Sequence, residues 1–514
     1  MRHALIRLFV FLQDQVLKLL ASERRVHSLL FAKNVGGYRW TVGRWRFLRT
    51  YQKALRRVPA YRDFVKKNGG PLRLPLRGWA PQLETVPAMD KETYIKAYRV
   101  EARCLDGKLP RTGVMVDESS GSSGTPTSWV RGTKERKATK ALLQVGFSRS
   151  LKGRPTFVLN AFSLGAWATG MNTTMSLIDL CIMKSTGPDM DKIISTMNDF
   201  GPDYAYVILG YPPFLKNLVD DPRINFANFE VVAGFGGEGM SENMRGYLLK
   251  HFKAVYGSYG ASDIEINLAL ETDFSISLRR AIEGDAALAA DLIRTDYGTL
   301  PMIFQYNPYD YILETNEKGE VLVSITRSEN INPRLRYNIH DRGHVLRMKP
   351  LKAILEKHGR GALLANLLLD LPLLFLYGRS DLSVDFYGAV VPPDSIREVI
   401  YDLPELAGVY SNFRLIAYED AQTNKQLHIA LELKEGHDPK GFASLGPRIL
   451  AAEKAKNRDF DQACKVAKPS TLPTIHIYPK GQGPFALDYG KLKNEYVWHL
   501  THEQSQAARL ETEA

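Results

Sequence analysis

Cysteine is scarce in this chain of 514 residues. Its three cysteines, Cys104, Cys181 and Cys464, lie far apart and form no Cys-x-x-Cys pair. This spacing supports neither a disulfide framework nor a zinc cluster, and it predicts a reducing, cytoplasmic compartment. Internal repeats and low-complexity tracts are also absent from the sequence, so a repeat architecture is not expected.

Long apolar runs are missing as well. The most apolar stretch, 363–376, is interrupted by Asp370 and Pro372 and is too short to cross a bilayer, which needs about 20 residues. We interpret it as a buried helix followed by a buried strand. No small-residue cleavage site follows the apolar residues near the N-terminus, which argues against a signal peptide.

Alternating helical and strand-like segments make up the middle of the chain. The predicted elements are a helix at 134–146, a strand at 155–159, a helix at 190–199 and strands at 204–209 and 229–233. This alternation is typical of an α/β core with parallel strands. Two strand-like runs within 301–325 flank an Asn-Glu-Lys-Gly turn and predict a hairpin. With 44% hydrophobic residues, the chain is long enough for two folding units.

Positive charge is concentrated at the N-terminus. Residues 1–75 contain 17 Lys and Arg against 3 Asp and Glu, whereas the net charge of the whole chain is +12. Within this arm, residues 5–20 have a helical pattern whose polar stripe is His3, Arg7, Asp14 and Lys18. We expect a helix that packs on its own domain with a solvated basic face. Attachment to an anionic membrane surface is the alternative, and no nucleic-acid-binding module is visible.

A loop of hydroxyls and glycines follows the extended run 113–116. It consists of Ser119, Ser120, Gly121, Ser122, Ser123, Gly124, Thr125, Pro126 and Thr127. Glycine lets successive backbone N–H groups approach an anion, and hydroxyls add donors without competing charge. The spacing and the lysine of a Walker loop are missing. Taken alone, the stretch fits a phosphate loop or a flexible linker.

Five further segments follow this loop in order. They are 234–238 (Gly-Phe-Gly-Gly-Glu), 256–263 (Tyr-Gly-Ser-Tyr-Gly-Ala-Ser-Asp), 336–343 (Arg-Tyr-Asn-Ile-His-Asp-Arg-Gly), 377–381 (Tyr-Gly-Arg-Ser-Asp) and 488–491 (Asp-Tyr-Gly-Lys). The ordered set resembles the adenylate-forming superfamily over roughly residues 50–500. Pro126-Thr127 and the segments 160–165 and 55–62 resemble the phenylacetate:CoA ligase and CapK-like branch of that superfamily.

The resemblance implies an α/β fold in two catalytic domains. A large N-terminal domain with mostly parallel sheets would occupy 76–380, behind the basic arm 1–75. A smaller, mobile α+β domain would occupy 381–514 and rotate about a hinge at Asp381. The implied cofactors are ATP, Mg²⁺ and CoA.

The chemistry of acyl-adenylate formation explains the implied site. A carboxylate attacks the α-phosphorus of ATP, so donors and a divalent ion must meet the charge that builds on the phosphates. By resemblance, 119–125 binds the β- and γ-phosphates, and Ser262 and Asp263 match a Ser/Thr-Glu pair whose acid binds magnesium. Aspartate is one methylene shorter than that glutamate but still suits a hard cation.

The remaining assignments also come from the resemblance. Gly237, Glu238, Tyr259 and Gly260 match adenine-facing segments, Asp341 matches a ribose-binding aspartate, and Arg379 matches an arginine near the ribose and phosphate. Lys491 matches the mobile-domain lysine that reaches the α-phosphate. Asn160, Phe162, Leu164 and Phe235 suggest an apolar substrate pocket.

Several of these residues have a structural alternative. Asp341 could cap a turn, Arg379 could form a surface ion pair, and Lys491 has Lys480 and Lys493 as neighbours in sequence. His340 is expected to have a structural role. Tyr256-Gly257 resembles a second copy of Tyr259-Gly260, and the aromatic pocket residues could be ordinary core.

Two classes of enzyme fit the sequence. One is an AMP-forming carboxylic acid:CoA ligase. The other adenylates but passes the AMP or the acyl group to an amine, a carrier protein or a coenzyme. A third hypothesis is a non-catalytic scaffold tethered by the basic arm, with peripheral contact at the inner membrane face. The identity of the acid lies beyond the sequence.

Overall fold

The computed structural model describes residues 1–20, 35–119, 127–133, 135, 154–294, 297, 300–327, 329–380, 383–406, 409–488 and 496–507. Several predicted features lie outside this part of the chain. They are the predicted helix 134–146 (apart from residue 135), the phosphate-loop residues 120–125, the hinge Asp381 and Lys491.

The described helices and strands are numbered in chain order. The helices are α1 (Arg2–Leu20), α2 (Gly36–Arg57), α3 (Pro59–Lys67), α4 (Ala168–Leu177), α5 (Met190–Phe200), α6 (Pro212–Val219), α7 (Glu242–Leu248), α8 (Asp273–Glu283), α9 (Ala286–Leu292), α10 (Met348–Lys357), α11 (Pro393–Tyr401), α12 (Leu445–Lys456), α13 (Arg458–Val466) and α14 (His502–Ala507). The strands are β1 (Leu76–Arg77), β2 (Ala80–Pro81), β3 (Val114–Ser119), β4 (Thr127–Gly132), β5 (Thr156–Asn160), β6 (Ile182–Ser185), β7 (Ala205–Gly210), β8 (Glu230–Phe235), β9 (Ala254–Tyr259), β10 (Ala269–Leu270), β11 (Met302–Tyr306), β12 (Tyr311–Thr315), β13 (Glu320–Ile325), β14 (Tyr337–Leu346), β15 (Leu373–Arg379), β16 (Val384–Phe386), β17 (Ala389–Val391), β18 (Tyr410–Glu419), β19 (Lys425–Leu433), β20 (Thr474–Tyr478) and β21 (Val497–Leu500).

The chain divides into two compact units that interleave along the sequence. Unit 1 comprises Met1–Glu118, Ser128–Ser185 and Tyr256–Gly378, and unit 2 comprises Ser119–Thr127, Thr186–Val255 and Arg379–Ala514. The division of the sequence into domains ending at residues 75 and 380 stays a prediction.

Unit 1 is built on a large sheet. Its strands lie in the order β12-β13-β14-β15-β11-β10-β9, and β9, β10, β11 and β15 pair antiparallel in succession. Helices α8, α9 and α10 pack against β11 and β15 through a cluster of buried apolar side chains that includes Phe274, Leu351 and Phe375. Strands β5 and β6, also of unit 1, pair in parallel and lie on either side of α4 in the sequence. The predicted strand at 155–159 is therefore confirmed.

The predicted hairpin is confirmed in unit 1. Strands β12 and β13 pair antiparallel from Tyr311 opposite Ile325 to Thr315 opposite Val321. The side chain of Asn316 accepts from the backbone N–H groups of Lys318 and Glu320, and Gly319 has a φ of 78°. A local side-chain cap and a left-handed glycine explain why this turn could be predicted.

Unit 2 contains two kinds of sheet. Strands β7 and β8 pair in parallel, with α6 beginning directly after β7 at two prolines that suit the first helical turn. A four-stranded sheet has the order β20-β19-β18-β21 and mixes one antiparallel with two parallel pairs. Helices α11, α12 and α13 pack on it through Ile396, Ile449 and Phe460. The predicted helix at 190–199 and the two predicted strands of this unit are confirmed.

The interpretation of 363–376 was half wrong. Gly361–Asn366 forms a short 3-10 helix with no buried residue, whereas Leu373–Phe375 is fully buried in β15. Pro372 cannot continue a helix, and the short helix before it is only partly buried, with Leu363 and Leu364 packed against the core of unit 1. Apolar composition alone therefore does not predict burial of a segment.

The prediction that α1 has a solvated basic face was wrong. The helix packs on α2 as expected, but Asp14 is only 6% exposed and His3 donates to the backbone carbonyl of Leu74. The described part of the polar stripe thus faces the protein. Within the described ranges, no helix has both the length and the apolar character needed to cross a membrane. All three cysteines are free.

Candidate active site

A tight turn follows β9 and carries the predicted Tyr-Gly-Ala-Ser-Asp residues. The backbone N–H of Ala261 donates to the carbonyl of Glu265, and that of Ile264 donates to Ala261. A Cβ at Gly260 would lie 2.5 Å from the carbonyl oxygen of Glu265 and 2.7 Å from the Cα of Ile266. The turn therefore requires glycine at position 260 because no side chain fits there.

Two tyrosine–aspartate hydrogen bonds connect this turn with the segment 336–343. Tyr259, in the first segment, donates its hydroxyl to Oδ2 of Asp341 at 2.7 Å. Tyr337, in the second, donates to Oδ2 of Asp263 at 2.8 Å. The bonds run in opposite directions between the two segments. In each bond a tyrosine hydroxyl donates to a carboxylate oxygen of one of the two predicted acids.

Two arginines support the turn from behind. The guanidinium of Arg131 donates to the backbone carbonyl of Ser262 at 2.5 Å, and that of Arg334 donates to the carbonyl of Asp263 at 3.1 Å. Arg131 is itself held by Asp117 at 2.8 Å. The sequence pattern did not identify these arginines, because each reaches a carbonyl far away along the chain.

The environment of Asp263 fits a hard divalent cation. Its carboxylate is half-buried, and among the described residues only Oδ2 has a hydrogen-bond partner. No group of three or more His, Cys, Asp or Glu side chains in the described ranges could hold a metal by itself. Mg²⁺ commonly binds through one or two carboxylates together with substrate phosphates and water, so one carboxylate is sufficient for a site shared with a nucleotide.

Buried charge surrounds the supporting arginines. Burial and, after it, the positive charge of Arg131 lower the pKa of Arg334 to about 10. Burial raises the pKa of Glu135 to about 7, although its carboxylate accepts from the backbone N–H of Ile331. Within the described part of the chain, Nη2 of Arg334 is buried without a hydrogen-bond partner. Nη2 of Arg334 can therefore donate a further hydrogen bond on this side of the turn.

Asp341 lies in β14, next to a buried acid that organises the strand. Glu320 accepts from the side chains of Asn316, Asn338 and His340. His340 has a φ of 64°, a left-handed conformation that is uncommon for a non-glycine residue. The structural role expected for His340 agrees with these contacts.

The predicted Gly-Gly-Glu residues lie in unit 2. The side chain of Glu238 is fully buried, and its Oε2 pairs with Nζ of Lys425 at 2.8 Å. Burial raises the pKa of Glu238, while the charge of Lys425 opposes that shift. Gly237 has a φ of 83°, and both Gly237 and Gly388 face the ring of Tyr211, which a Cβ at either position would strike.

The other predicted residues have varied surroundings. Arg379 ends β15, directly after Gly378 with a φ of 111°. Asn160 is buried, and its amide donates to Gly170 and Thr174. Phe162 is buried and Leu164 half-buried. Phe235 is buried with the guanidinium of Arg245 over its ring.

Lys480 can be distinguished from Lys491. Its ammonium donates to Glu432 at 2.9 Å and to Ser411 at 3.0 Å, so it is engaged within the C-terminal sheet. Lys491, Asp381 and the loop residues 120–125 lie outside the described residues. Ser119 ends β3 at the start of that loop.

A cavity of about 600 Å³ lies elsewhere in unit 1. Its lining includes Arg56, Arg57, Arg62 and Lys66, and Arg57 is paired with Asp106. None of the predicted site residues lines this cavity. We place the candidate site at the linked turn and not here, because the turn brings predicted site residues together.

Comparison with known proteins establishes the fold. No family model and no curated protein sequence matches the chain. Among solved structures, 2-hydroxyisobutyryl-CoA ligase bound to 2-HIB-AMP and CoA in the thioesterification state is 13% identical, with 94% of both chains covered and a TM-score of 0.62. The same ligase in the postadenylation state with R3-HIB-AMP is 12% identical, with 93% of both chains covered and a TM-score of 0.53.

These similarities extend over nearly the whole chain. They confirm the expected α/β fold with a large sheet, and they do not test the phenylacetate:CoA ligase and CapK-like branch. The chain therefore has the two-domain fold of an adenylate-forming acyl-CoA ligase.

Proposed function

We propose that this protein activates a carboxylic acid with ATP, releasing pyrophosphate, and then transfers the acyl group from acyl-AMP to CoA. Within the adenylate-forming enzymes, we assign it to the phenylacetate:CoA ligase and CapK-like branch, on the residues at 55–62, 126–127 and 160–165. Its substrates would be a small carboxylic acid, ATP and CoA.

The observation that carries this proposal is the crossed pair of tyrosine–aspartate hydrogen bonds. The predicted magnesium acid Asp263 and the predicted ribose acid Asp341 come from segments more than 70 residues apart, yet each is held by a tyrosine of the other segment. Such bonds fix two carboxylates relative to one another before a nucleotide arrives. Preorganised charge of this kind costs no rearrangement during the reaction.

The proposed roles follow from the chemistry of each group. Asp341 would accept the ribose hydroxyls, and Asp263 would hold Mg²⁺. When bound, the ion would offset negative charge on the phosphates. Arg131 and Arg334, which donate to the backbone carbonyls of Ser262 and Asp263, would hold the turn in this conformation.

The remaining roles are proposed from the resemblance. The backbone at Gly237 and Glu238 would face the adenine, while the carboxylate of Glu238 is held by Lys425. Arg379 would lie near the ribose and phosphate. Lys491 would place a point charge between the α-phosphate and the carboxylate oxygen, and the loop 119–125 would hold the outer phosphates.

The hinge is proposed at Asp381. The boundary between the two compact units falls between Gly378 and Arg379, and the φ of 111° at Gly378 is a conformation that side-chain-bearing residues rarely adopt. A glycine at the boundary supports a change of backbone direction close to the proposed hinge.

Product analysis tests the proposal. The purified chain is incubated with ATP, Mg²⁺ and aryl, fatty or amino acids, with and without CoA, and the nucleotides and acyl products are identified by mass spectrometry. We expect AMP and pyrophosphate with an acid, and an acyl-CoA thioester when CoA is present. Acyl-hydroxamate formed on adding hydroxylamine would trap the adenylate.

The acceptor is tested in the same assay. If acyl-AMP forms but CoA gives no thioester while an amine gives an amide, the adenylation half of the proposal stands and its CoA half fails. If no acid yields AMP, adenylation itself is contradicted and the scaffold hypothesis gains support.

A further inference from the structure

Helix α1 presents its apolar side away from the protein. The exposed residues of its first sixteen positions are almost all apolar, with Arg2 and Gln15 as the polar exceptions. We define the outer face of α1 as Leu5, Leu8, Phe9, Phe11, Leu12 and Val16, whose exposed fractions run from 41% for Phe9 to 55% for Leu12. At helical spacing these residues share one broad face.

Buried polar contacts fix this orientation. Both carboxylate oxygens of Asp14 are paired, one with Arg46 and one with Arg49, each at 2.5 Å. The hydroxyl of Tyr309 adds a third donor at 3.2 Å. Rotating the helix to bury its apolar face would break these pairs and leave buried charges without partners, which is strongly unfavourable.

The N-terminal end of α1 is held in the same way. The ring of His3 donates from Nε2 to the carbonyl of Leu74 and accepts at Nδ1 from Arg73. Ile6 and Val10 fill the space between these two polar anchors and are almost fully buried. His3, Ile6, Val10 and Asp14 therefore all face the protein.

Aromatic residues continue the outer face onto the neighbouring hairpin. Phe9 packs edge-on against Trp45 at 5.4 Å, and Trp45 lies 6.5 Å from Trp79 between ring centroids. Trp79 sits between β1 and β2 and is 48% exposed. Tryptophan is enriched at the boundary between lipid and water.

Positive charge borders this apolar surface. Arg2, Arg73 and Arg77 are exposed, and the guanidinium of Arg2 lies 5.9 Å from the centre of the Trp79 ring. Such a combination matches a bilayer with anionic headgroups, since the arginines would meet the lipid phosphates while the apolar side chains enter the acyl boundary.

We infer that the outer face of α1, together with Trp79, binds the anionic surface of a lipid bilayer. The helix lies in the plane of the interface and does not cross it. The excess of basic residues over acidic ones in 1–75 gives a long-range attraction, and the apolar face provides the short-range binding. This inference does not depend on the proposed catalytic function.

Vesicle co-sedimentation of the full chain tests the inference. The probes are vesicles of phosphatidylcholine alone and of phosphatidylcholine with phosphatidylserine, each at low and high salt. The test variant is L8Q/L12Q. Its matched control is L368Q, because Leu368 is 56% exposed and lies outside the outer face. Thermal melts and sedimentation velocity accompany each variant.

We expect the unmodified chain to bind the phosphatidylserine vesicles more tightly than the neutral ones, and less tightly at high salt. L8Q/L12Q should lower the partition coefficient at least about tenfold, because two apolar side chains no longer enter the interface. L368Q should bind like the unmodified chain. Quenching of tryptophan fluorescence by brominated lipid gives a second measurement. We expect less quenching in the conservative variant W79F than in the unmodified chain.

Three results would overturn the inference. The first is failure of the unmodified chain to bind either vesicle at low salt, and the second is a loss of binding in L368Q as large as that in L8Q/L12Q. The third is a concentration-dependent association of the unmodified chain, abolished by L8Q/L12Q, without vesicle binding. In that case the outer face would be an interface between two copies of the chain.

Discussion

The predicted site residues of the two units are held in different ways. In unit 1, Asp263 and Asp341 are held by tyrosine hydroxyls, which orient a carboxylate without neutralising it. In unit 2, Glu238 is fully buried and paired with a lysine. The first arrangement keeps negative charge available to a ligand, whereas the second uses the charge inside the protein.

The acidic residues of two motifs in this chain therefore have different surroundings. In the part of the chain that the structure describes, one carboxylate oxygen of the half-buried Asp263 has no hydrogen-bond partner, so this acid can take a cation. The buried Glu238, with its ammonium partner, stabilises the fold around it. We therefore expect substitutions in the first region to affect catalysis and substitutions in the second to affect stability.

The largest effect is expected for the buried pair. Lys425→Met leaves the carboxylate of Glu238 buried without its counter-charge and should lower the free energy of unfolding by about 3–5 kcal/mol. The double variant E238Q/K425M should regain most of this loss. Urea unfolding measures both.

Lys456→Met is the matched control for the buried pair. Lys456 pairs with the exposed Asp402, so its loss should cost under about 1 kcal/mol. Equal losses of unfolding free energy in K425M and K456M would contradict the structural role assigned to the pair of Glu238 and Lys425.

Asp263→Asn should next reduce the rate of acid-dependent AMP formation about 10²–10³-fold, since a preorganised charge at the reacting phosphates is lost. Its stability should change little, because the amide oxygen can still accept from Tyr337. Asp402→Asn, at an exposed acid, controls for loss of charge elsewhere. A D263N enzyme with full activity would contradict the role of Asp263.

Glu135 is a buried acid of unit 1, and it gives the comparison a test by pH. Its pKa is raised from 4.5 to about 7 by burial, so the stabilisation that it contributes is complete below about pH 4.5 and is lost as pH rises through about 7. The difference corresponds to about 3 kcal/mol. In Glu135→Gln, unfolding measured between pH 5 and pH 8 should lack this slope, and an unchanged pH profile would contradict the assignment.

The smallest effect is expected for the crossed hydrogen bonds. Tyr337→Phe removes one neutral donor to Asp263. It should cost about 1 kcal/mol of stability and raise the KM for ATP severalfold. Tyr259→Phe should act similarly through Asp341. If Y337F changes only stability, with no change in nucleotide kinetics, the hydrogen bond supports the fold and not the site.

Local patterns in the sequence predicted the local structure well. The hairpin at 311–325 followed from its alternation and its Asn-Glu-Lys-Gly turn, and the strands around residues 156–235 followed from short apolar runs. Periodicity found the two faces of α1 but not which one is buried. That choice depends on Arg46, Arg49 and Tyr309, which are distant in sequence.

The candidate site shows the same limit. The segments 256–263 and 336–343 were recognised by resemblance, but their crossed hydrogen bonds depend on the folded positions of Tyr259 and Tyr337. The supporting arginines Arg131 and Arg334 contact backbone carbonyls. Every residue has a carbonyl, so no residue type in the sequence indicates these contacts. Nor did the Gly-Gly-Glu motif indicate that Lys425 would neutralise Glu238.

The most direct test is the exchange of labelled pyrophosphate into ATP in the presence of an acid substrate found by the product screen. The account predicts acid-dependent exchange with AMP as the product. It also predicts that K491A loses this exchange about 10²–10³-fold, while K480A, whose lysine is engaged by Glu432, retains it. Formation of ADP without AMP, or no exchange with any acid that the chain consumes, would contradict the central claim.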